Sequence, residues 1–427
     1  MCKKIKVGLF IDTWYPMVDG VIEVVNNYAK RLNKICDVTV FTVDGDKKDT
    51  KVVDYNVVKC KRLNLNWLDY SLPVPEIDLS FKKILDDSQL DIVHIHSPFA
   101  LGKIAIKYAK SHKIPIIATL HSQYKQDFYN ATKNNVLTKL LLNEIIKNIN
   151  ACDEYYAVNG KTAEVFKGYG TKKTPLVQKN GTDLTPILQE EKEKMLELVN
   201  NKFNIDKCDT VFLFVGRIVQ PKNIFFIVKA LKLLEEKFPN FKMLFVGTGV
   251  DEKRLKNLIS QLNLTSKVIL TGKIIDRTLL SALYLRAKLF LFPSLYDSSS
   301  LVQIEASSQG TPTLFLEGSV TSATVTNNVN GFFSENSERA YADKIYEILT
   351  DDKLYDSVSR GAVRDLFVTW DDCVKEMYEK YLSLIEKNKK RVELKNFSMQ
   401  KGSKTTKKSK AIKNIKKIQG RKRNTYD

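Results

Sequence analysis

Apolar positions fall into short runs separated by stretches of helical period. Ile5 to Ile11 reads as a first strand and Asp12 to Gly20 as a loop. A helix follows with Val21, Val24, Val25, Tyr28, Ala29 and Leu32 on one face. Val38 to Phe41 is a second strand, and this strand–helix–strand opening predicts a parallel sheet. Lys47 to Pro75 reads as irregular. Asp91 to His96 and Pro115 to Leu120 are further strands, with a helix from Pro98 through Ala109 between them and a loop from His121 to Asp127 after the second. Strands ending at Val158 and Gln178 flank a helix from Lys161 to Gly168. The turn Asn180-Gly181-Thr182-Asp183 marks a change of domain.

The second half follows the same logic. Strands are expected at Val211 to Val215, Phe241 to Val246, Val268 to Leu270, Leu289 to Phe292 and Thr313 to Leu316. Helices are expected at Ile224 to Leu234, from an Asp276 cap to Arg286, from about Ser300 to Gly310, from Ser337, from Lys353, and from Trp370 to Ile385. The class is α/β, with two doubly wound, Rossmann-like domains. Their expected bounds are 1–183 and 184–369, followed by a helix over 370–386 and a basic, disordered tail over 387–427.

Candidate chemistry concentrates between Leu289 and Pro312. Pro293 ends a strand, Ser294 to Ser299 form a polar turn, and the helix that follows turns Leu301, Ile304, Ala306 and Ser308 inward. A strand, loop and helix tip suit a phosphorylated ligand, because free N–H groups and the positive helix end point at it. Asp297 and Glu305 flank that tip. Carboxylates beside an anion site make sense when the ligand also carries diols, as a nucleotide sugar does. Arg217 and Lys222 follow the first strand of the same half and can neutralise a diphosphate leaving group. Gly20, at the mouth of the first helix, allows close approach of a ligand or of another backbone. His94 alternates within a strand and reads as structural, whereas His96 and His121 fall at strand ends that face a cleft.

Charge changes the picture only at one end. The net charge is +19, but residues 387–427 hold 16 Lys or Arg against 2 acids, which leaves an ordinary balance elsewhere. Ile412, Ile415 and Ile418 recur among those lysines. That spacing suits a basic helix on an anionic membrane surface and equally a merely solvated tail. The six cysteines form no Cys-x-x-Cys pair, so reduced, buried thiols in a cytoplasmic protein are expected. The N-terminus shows no signal-peptide core, and no run approaches the ~20 apolar residues that span a bilayer.

Taken together, these motifs resemble the glycosyltransferases of family 4, the retaining family with the GT-B fold. The resemblance rests on Asp19-Gly20, His121 with Tyr124 and Asp127, Asn180 to Asp183, Gly216-Arg217 with Lys222-Asn223, Phe292-Pro293-Ser294, Asp297 to Glu305, Gly310-Thr311-Pro312 and Asn330-Gly331-Phe332. It implies two domains facing across a cleft, with the acceptor bound by the first and the donor by the second. It implies Arg217 and Lys222 on the diphosphate, Glu305 on the ribose, Asp297 and His121 at the transferred sugar, and Gly20 near the phosphates. Ser298, Ser299, Ser300 and Leu301 would then cradle the donor at the helix tip. The last helix is expected to cross back to the first domain. No metal or other cofactor is expected; Asp44-Gly45-Asp46 reads as a loop, not a metal motif. Asp297 stands where the family usually has Glu, Ser300 where it usually has Gly, and Thr248 replaces a commoner acid.

Within the family, Asp19-Gly20-Val21, His121 to Tyr124 and the 297–306 stretch look most like bacterial enzymes that glycosylate diacylglycerol. The expected reaction moves a hexose from a nucleotide sugar, with UDP the expected nucleotide, to a lipid or glycan acceptor at the inner membrane face. A polysaccharide transferase and a non-catalytic partner subunit of the same fold are the alternatives. Nucleic acid is not the expected partner; a nucleic-acid binder acting through the tail would show steep salt dependence and no sugar-nucleotide binding.

Overall fold

A computed structural model describes residues 4–17, 19–44, 52–63, 72–295, 297–298 and 300–394. Cys2, Gly45, Asp46, Ser299 and residues 395–427 lie outside the described residues, and with them the expectations for the Asp-Gly-Asp loop, for Ser299 and for most of the tail.

The first domain holds β1 (Lys6–Phe10), β2 (Asp37–Val43), β3 (Asn56–Cys60), β4 (Arg62–Leu63), β5 (Leu72–Pro73), β6 (Ile92–Ile95), β7 (Ile116–Leu120), β8 (Glu154–Ala157) and β9 (Leu176–Val177). Its sheet runs β3-β2-β1-β6-β7-β8-β9, all parallel, with β4 and β5 as a small antiparallel pair aside. The second holds β10 (Thr210–Val215), β11 (Phe241–Val246), β12 (Val268–Gly272), β13 (Leu289–Leu291), β14 (Thr313–Leu316) and β15 (Phe332–Ser334). Its order is β12-β11-β10-β13-β14-β15, again all parallel. Both are doubly wound sheets, and the order reverses beside β1 and beside β10. The strands are continuous apolar runs because helices cover both faces; Val211 to Val215 are all buried.

Local signals fix the helices next to the site. Asp19 accepts the Val21 N–H at 2.7 Å and caps the helix Gly20–Leu32. Asp276 caps Arg277–Arg286 and Ser300 caps Leu301–Ser308. The chain passes twice between domains, and the two passages bond to each other. Thr182 N–H donates to Val368 C=O at 2.9 Å, and Trp370 N–H to Thr182 C=O at 3.3 Å. Gly181 sits in this crossing, where a Cβ would lie 2.6 Å from the Thr369 carbonyl carbon. The helix from residue 370 then packs Trp370, Met377 and Tyr381 into the first domain's core beside Val7, Leu9 and Tyr28.

The structure corrects several expectations. The helix starting at 370 continues to 394, beyond the expected end at 386. Residues 56–60, expected to be irregular, form the edge strand β3. The loop predicted over His121 to Asp127 turns helical at Tyr124, starting the helix Tyr124–Thr132. Helices at Leu79–Asp87, Asn135–Ile149 and Glu252–Gln261 also went unpredicted.

Candidate active site

The second domain's switch point is built from two loops. One leaves β10 and carries Arg217 and Lys222; the other leaves its neighbour β13 and carries Asp297. Asn223 ties them, its side-chain amide donating to Pro293 C=O at 3.2 Å. The β10 loop also packs on the turn after β11. A Cβ at Gly247 would fall 1.9 Å from the Gly216 carbonyl oxygen, so only glycine fits there. Ile218 N–H donates to Thr248 C=O at 3.0 Å, which leaves the Thr248 side chain exposed.

Lys222 and Asp297, 75 residues apart, meet directly: Nζ lies 2.5 Å from Oδ1, with both side chains mostly buried. Lys222 Nζ also stands 5.5 Å from the Phe292 ring centroid. Asp297 Oδ2 is buried without a hydrogen-bond partner among the described residues. Thr321 Oγ1 donates to Asp297 C=O at 2.6 Å and holds the loop in place. Arg217 is exposed, five residues before Lys222.

Glu305 lies on the helix behind this loop. Arg277 Nη2 donates to it at 2.8 Å and the Tyr284 hydroxyl at 3.0 Å. Neither Arg277 nor Tyr284 is singled out by the sequence, where both read as ordinary positions of the helix that Asp276 caps. The helix face also differs from expectation. Gln303, Ala306, Ser307 and Ser308 are buried, while Leu301 and Ile304 are only partly so. Leu301 turns instead toward the first domain's core. Ser300 spends its hydroxyl on the Gln303 N–H at 3.2 Å.

The carboxyl edges of the two sheets face each other. Asn159, just past β8, donates to Ser298 C=O at 2.6 Å, and Lys161 donates to Gly318 C=O at 2.8 Å. His121 closes β7, beside β8, and so belongs to the same cleft. It shares a hydrogen bond of 3.1 Å between its Nε2 and His96 Nδ1. Burial lowers His121 to about 3, so it is neutral at pH 7. His94 bridges the Tyr381 hydroxyl at 2.6 Å and Thr119 Oγ1 at 2.7 Å, a packed, structural role. His96 Nε2 is buried with no partner among the described residues. Gly20 has open space before it, since nothing lies within 4 Å of a built Cβ. Nearby, burial raises Asp12 to about 7, and burial with Asp19 raises Asp127 to about 6. Among the described residues no group of three or more His, Cys, Asp or Glu is placed to hold a metal.

Residues 197–364 match glycosyl transferases group 1, and residues 18–185 match glycosyltransferase family 4. An alpha-monoglucosyldiacylglycerol synthase of Acholeplasma laidlawii is 25% identical over 91% of this chain and 99% of its own. A Streptococcus pneumoniae enzyme of the same name is 24% identical over 72% of this chain and 70% of its own. The fold is similar to that of an Anabaena protein, HepE, crystallised with UDP and glucose: TM-score 0.71 at 15% identity, covering 89% of this chain and 100% of that one.

Proposed function

Given that the chain belongs to the family 4 glycosyltransferases with the GT-B fold, we propose that it moves a hexose from UDP-hexose to a lipid hydroxyl, diacylglycerol being the acceptor class, with retention of configuration. The supporting observation is the meeting of Lys222 and Asp297 at the second switch point, with one Asp297 oxygen unpartnered. Arg217 and Lys222 hold the diphosphate and Asp297 takes a sugar hydroxyl. Glu305 accepts from the ribose diol, with Arg277 and Tyr284 keeping its carboxylate in position. Neutral His121 hydrogen-bonds the transferred sugar, and Gly20 leaves room for the phosphates. The backbone at Ser298, Ser300 and Leu301 completes the donor cradle at the helix tip.

In the transfer step the bond from C1 to the phosphate oxygen breaks and the acceptor oxygen bonds C1 on the same face. The departing phosphate oxygen takes the acceptor proton. Charge grows on that phosphate, and two preorganised cations offset it where a metal ion would otherwise serve. The reaction then needs no cofactor. The two relatives named for monoglucosyldiacylglycerol synthesis support the lipid acceptor. A peripheral place on the cytoplasmic membrane face fits such an acceptor; among the described residues no helix is long and apolar enough to cross a membrane.

The test supplies the full chain with UDP-glucose and diacylglycerol vesicles, with and without EDTA, and assigns the anomer of the product. An α-glycolipid formed equally in EDTA is expected. Transfer only to a polysaccharide acceptor would move the enzyme to cell-wall or capsule synthesis. Neither transfer nor hydrolysis with UDP-, GDP- and ADP-sugars would mark a non-catalytic partner, a reading that the Asp297 and Ser300 departures favour.

A further inference from the structure

Three histidines stand together at the carboxyl ends of the paired strands β6 and β7. His94 uses both of its ring nitrogens, one on the Tyr381 hydroxyl and one on Thr119 Oγ1. His96 and His121 share a single bond, from His96 Nδ1 to His121 Nε2. Their ring planes are 16° apart and their centroids 5.3 Å apart. An N–H in the plane of one ring can therefore point at the in-plane lone pair of the other. Burial lowers the pKa of both, so both are neutral at pH 7. Each then carries one N–H and one lone pair. Whichever ring donates in the shared bond fixes what the other nitrogen of its partner must be.

The two arrangements differ in cost. If His121 Nε2–H donated, His96 would hold its own proton on Nε2. That atom is buried without a hydrogen-bond partner among the described residues, in a residue only 1% exposed. Its N–H could only face an aromatic neighbour such as Tyr28, whose ring centroid lies 5.7 Å from that of His96. If His96 Nδ1–H donates instead, Nε2 keeps only a spare lone pair. An orphan N–H in a protein interior is rarer than an acceptor with an unused lone pair. The second arrangement is the cheaper one. It puts the His121 proton on Nδ1, which lies across the ring from the shared bond and is not among the buried atoms left without a partner.

We infer that His96 is a positioning residue: it donates Nδ1–H to His121 Nε2 and so holds His121 in the tautomer that presents Nδ1–H to the cleft. A fixed donor at that place selects an oxygen lone pair of the transferred hexose. It has no lone pair left with which to act as a base, so the acceptor proton must go elsewhere, to the departing phosphate oxygen. These two consequences rest on the nucleotide-sugar reading; the tautomer itself does not.

NMR of the full chain with isotopically labelled histidine, without donor or acceptor, reads the tautomers directly from the ring-nitrogen shifts. The chain has four histidines, and a His121→Asn variant identifies the signals of that residue. One His121 form, protonated at Nδ1 at neutral pH, is expected in the wild type. Protonation at Nε2, or an even mixture of the two forms, overturns the inference. His96→Phe keeps a ring and removes both nitrogens. It should release His121 into a mixture and lower kcat/KM for transfer about 10–100-fold, as for other residues that orient a functional imidazole. His96→Asn, whose amide N–H can replace Nδ1–H, should restore the single form and most of the rate. A His96→Phe protein that keeps the wild-type His121 signal overturns the inference, because His96 would then act by packing alone. The expected tautomer in a wild-type chain that transfers no sugar would sink the proposed function and leave the positioning role intact.

Discussion

The two switch points share a topology and differ in chemistry. Beside β1 and β6 stand neutral histidines and carboxyls held partly protonated by burial: His96, His121, Asp12 and Asp127. Beside β10 and β13 stand paired full charges, Lys222 with Asp297 and, one helix back, Arg277 with Glu305. The difference is one of solvation. The first site has traded charge for burial and suits an uncharged hydroxyl. The second keeps its charges because each has a partner, and suits a diphosphate joined to diols. A fold alone does not tell the two apart.

The comparison breaks most visibly at Lys222. Lys222→Ala removes the diphosphate cation and leaves Asp297 uncompensated; kcat should fall about 10²–10³-fold in a steady-state transfer assay. Arg217→Ala should cost about 3 kcal/mol in kcat/KM, with an unchanged melting temperature because the residue is exposed. Unchanged turnover would remove Arg217 from the mechanism.

Asp12→Asn sharpens the contrast from the other side. Folding raises the Asp12 pKa from 3.8 to about 7, so between those values the folded chain binds the proton and the unfolded chain does not. Stability from this group is therefore lost as pH rises from about 4 to 7. His121 acts oppositely: its folded value near 3 makes stability fall as pH drops below about 6.5. The difference between wild-type and Asp12→Asn unfolding curves isolates the first effect. The variant should gain on the order of 4 kcal/mol at pH 8 relative to pH 4; a flat difference curve would deny the buried, protonatable state. Glu305→Gln should act least, raising the donor KM about tenfold as one charge-assisted contact weakens.

Elements with a local cause were legible in the sequence. The Asp276 cap and the period to Arg286 place a helix that the structure shows over Arg277–Arg286. The edge strand β3 was not, because Asn56-Val-Val-Lys-Cys60 offers two valines between polar residues and takes its place from pairing with β2. The helix Leu301–Ser308 shows the limit at the site itself. Apolar period sends Leu301 and Ile304 inward, yet the helix tip lies between two domains, so Gln303 and Ser307 are buried instead. Motif position pointed to Arg217, Lys222, Asp297 and Glu305 but not to Arg277, and not to any of the pairings. Lys222 with Asp297, and Arg277 with Glu305, are products of adjacent strands and helices far apart in sequence.

Titration calorimetry with UDP-glucose is the sharpest probe of the donor site. It compares the wild-type chain with one carrying both Arg217→Ala and Lys222→Ala. Saturable binding at one site in the wild type, lost in the double variant, is the predicted result. Equal affinity in the two proteins would contradict the claim that these cations and the Asp297–Glu305 loop and helix form a single sugar-nucleotide crevice.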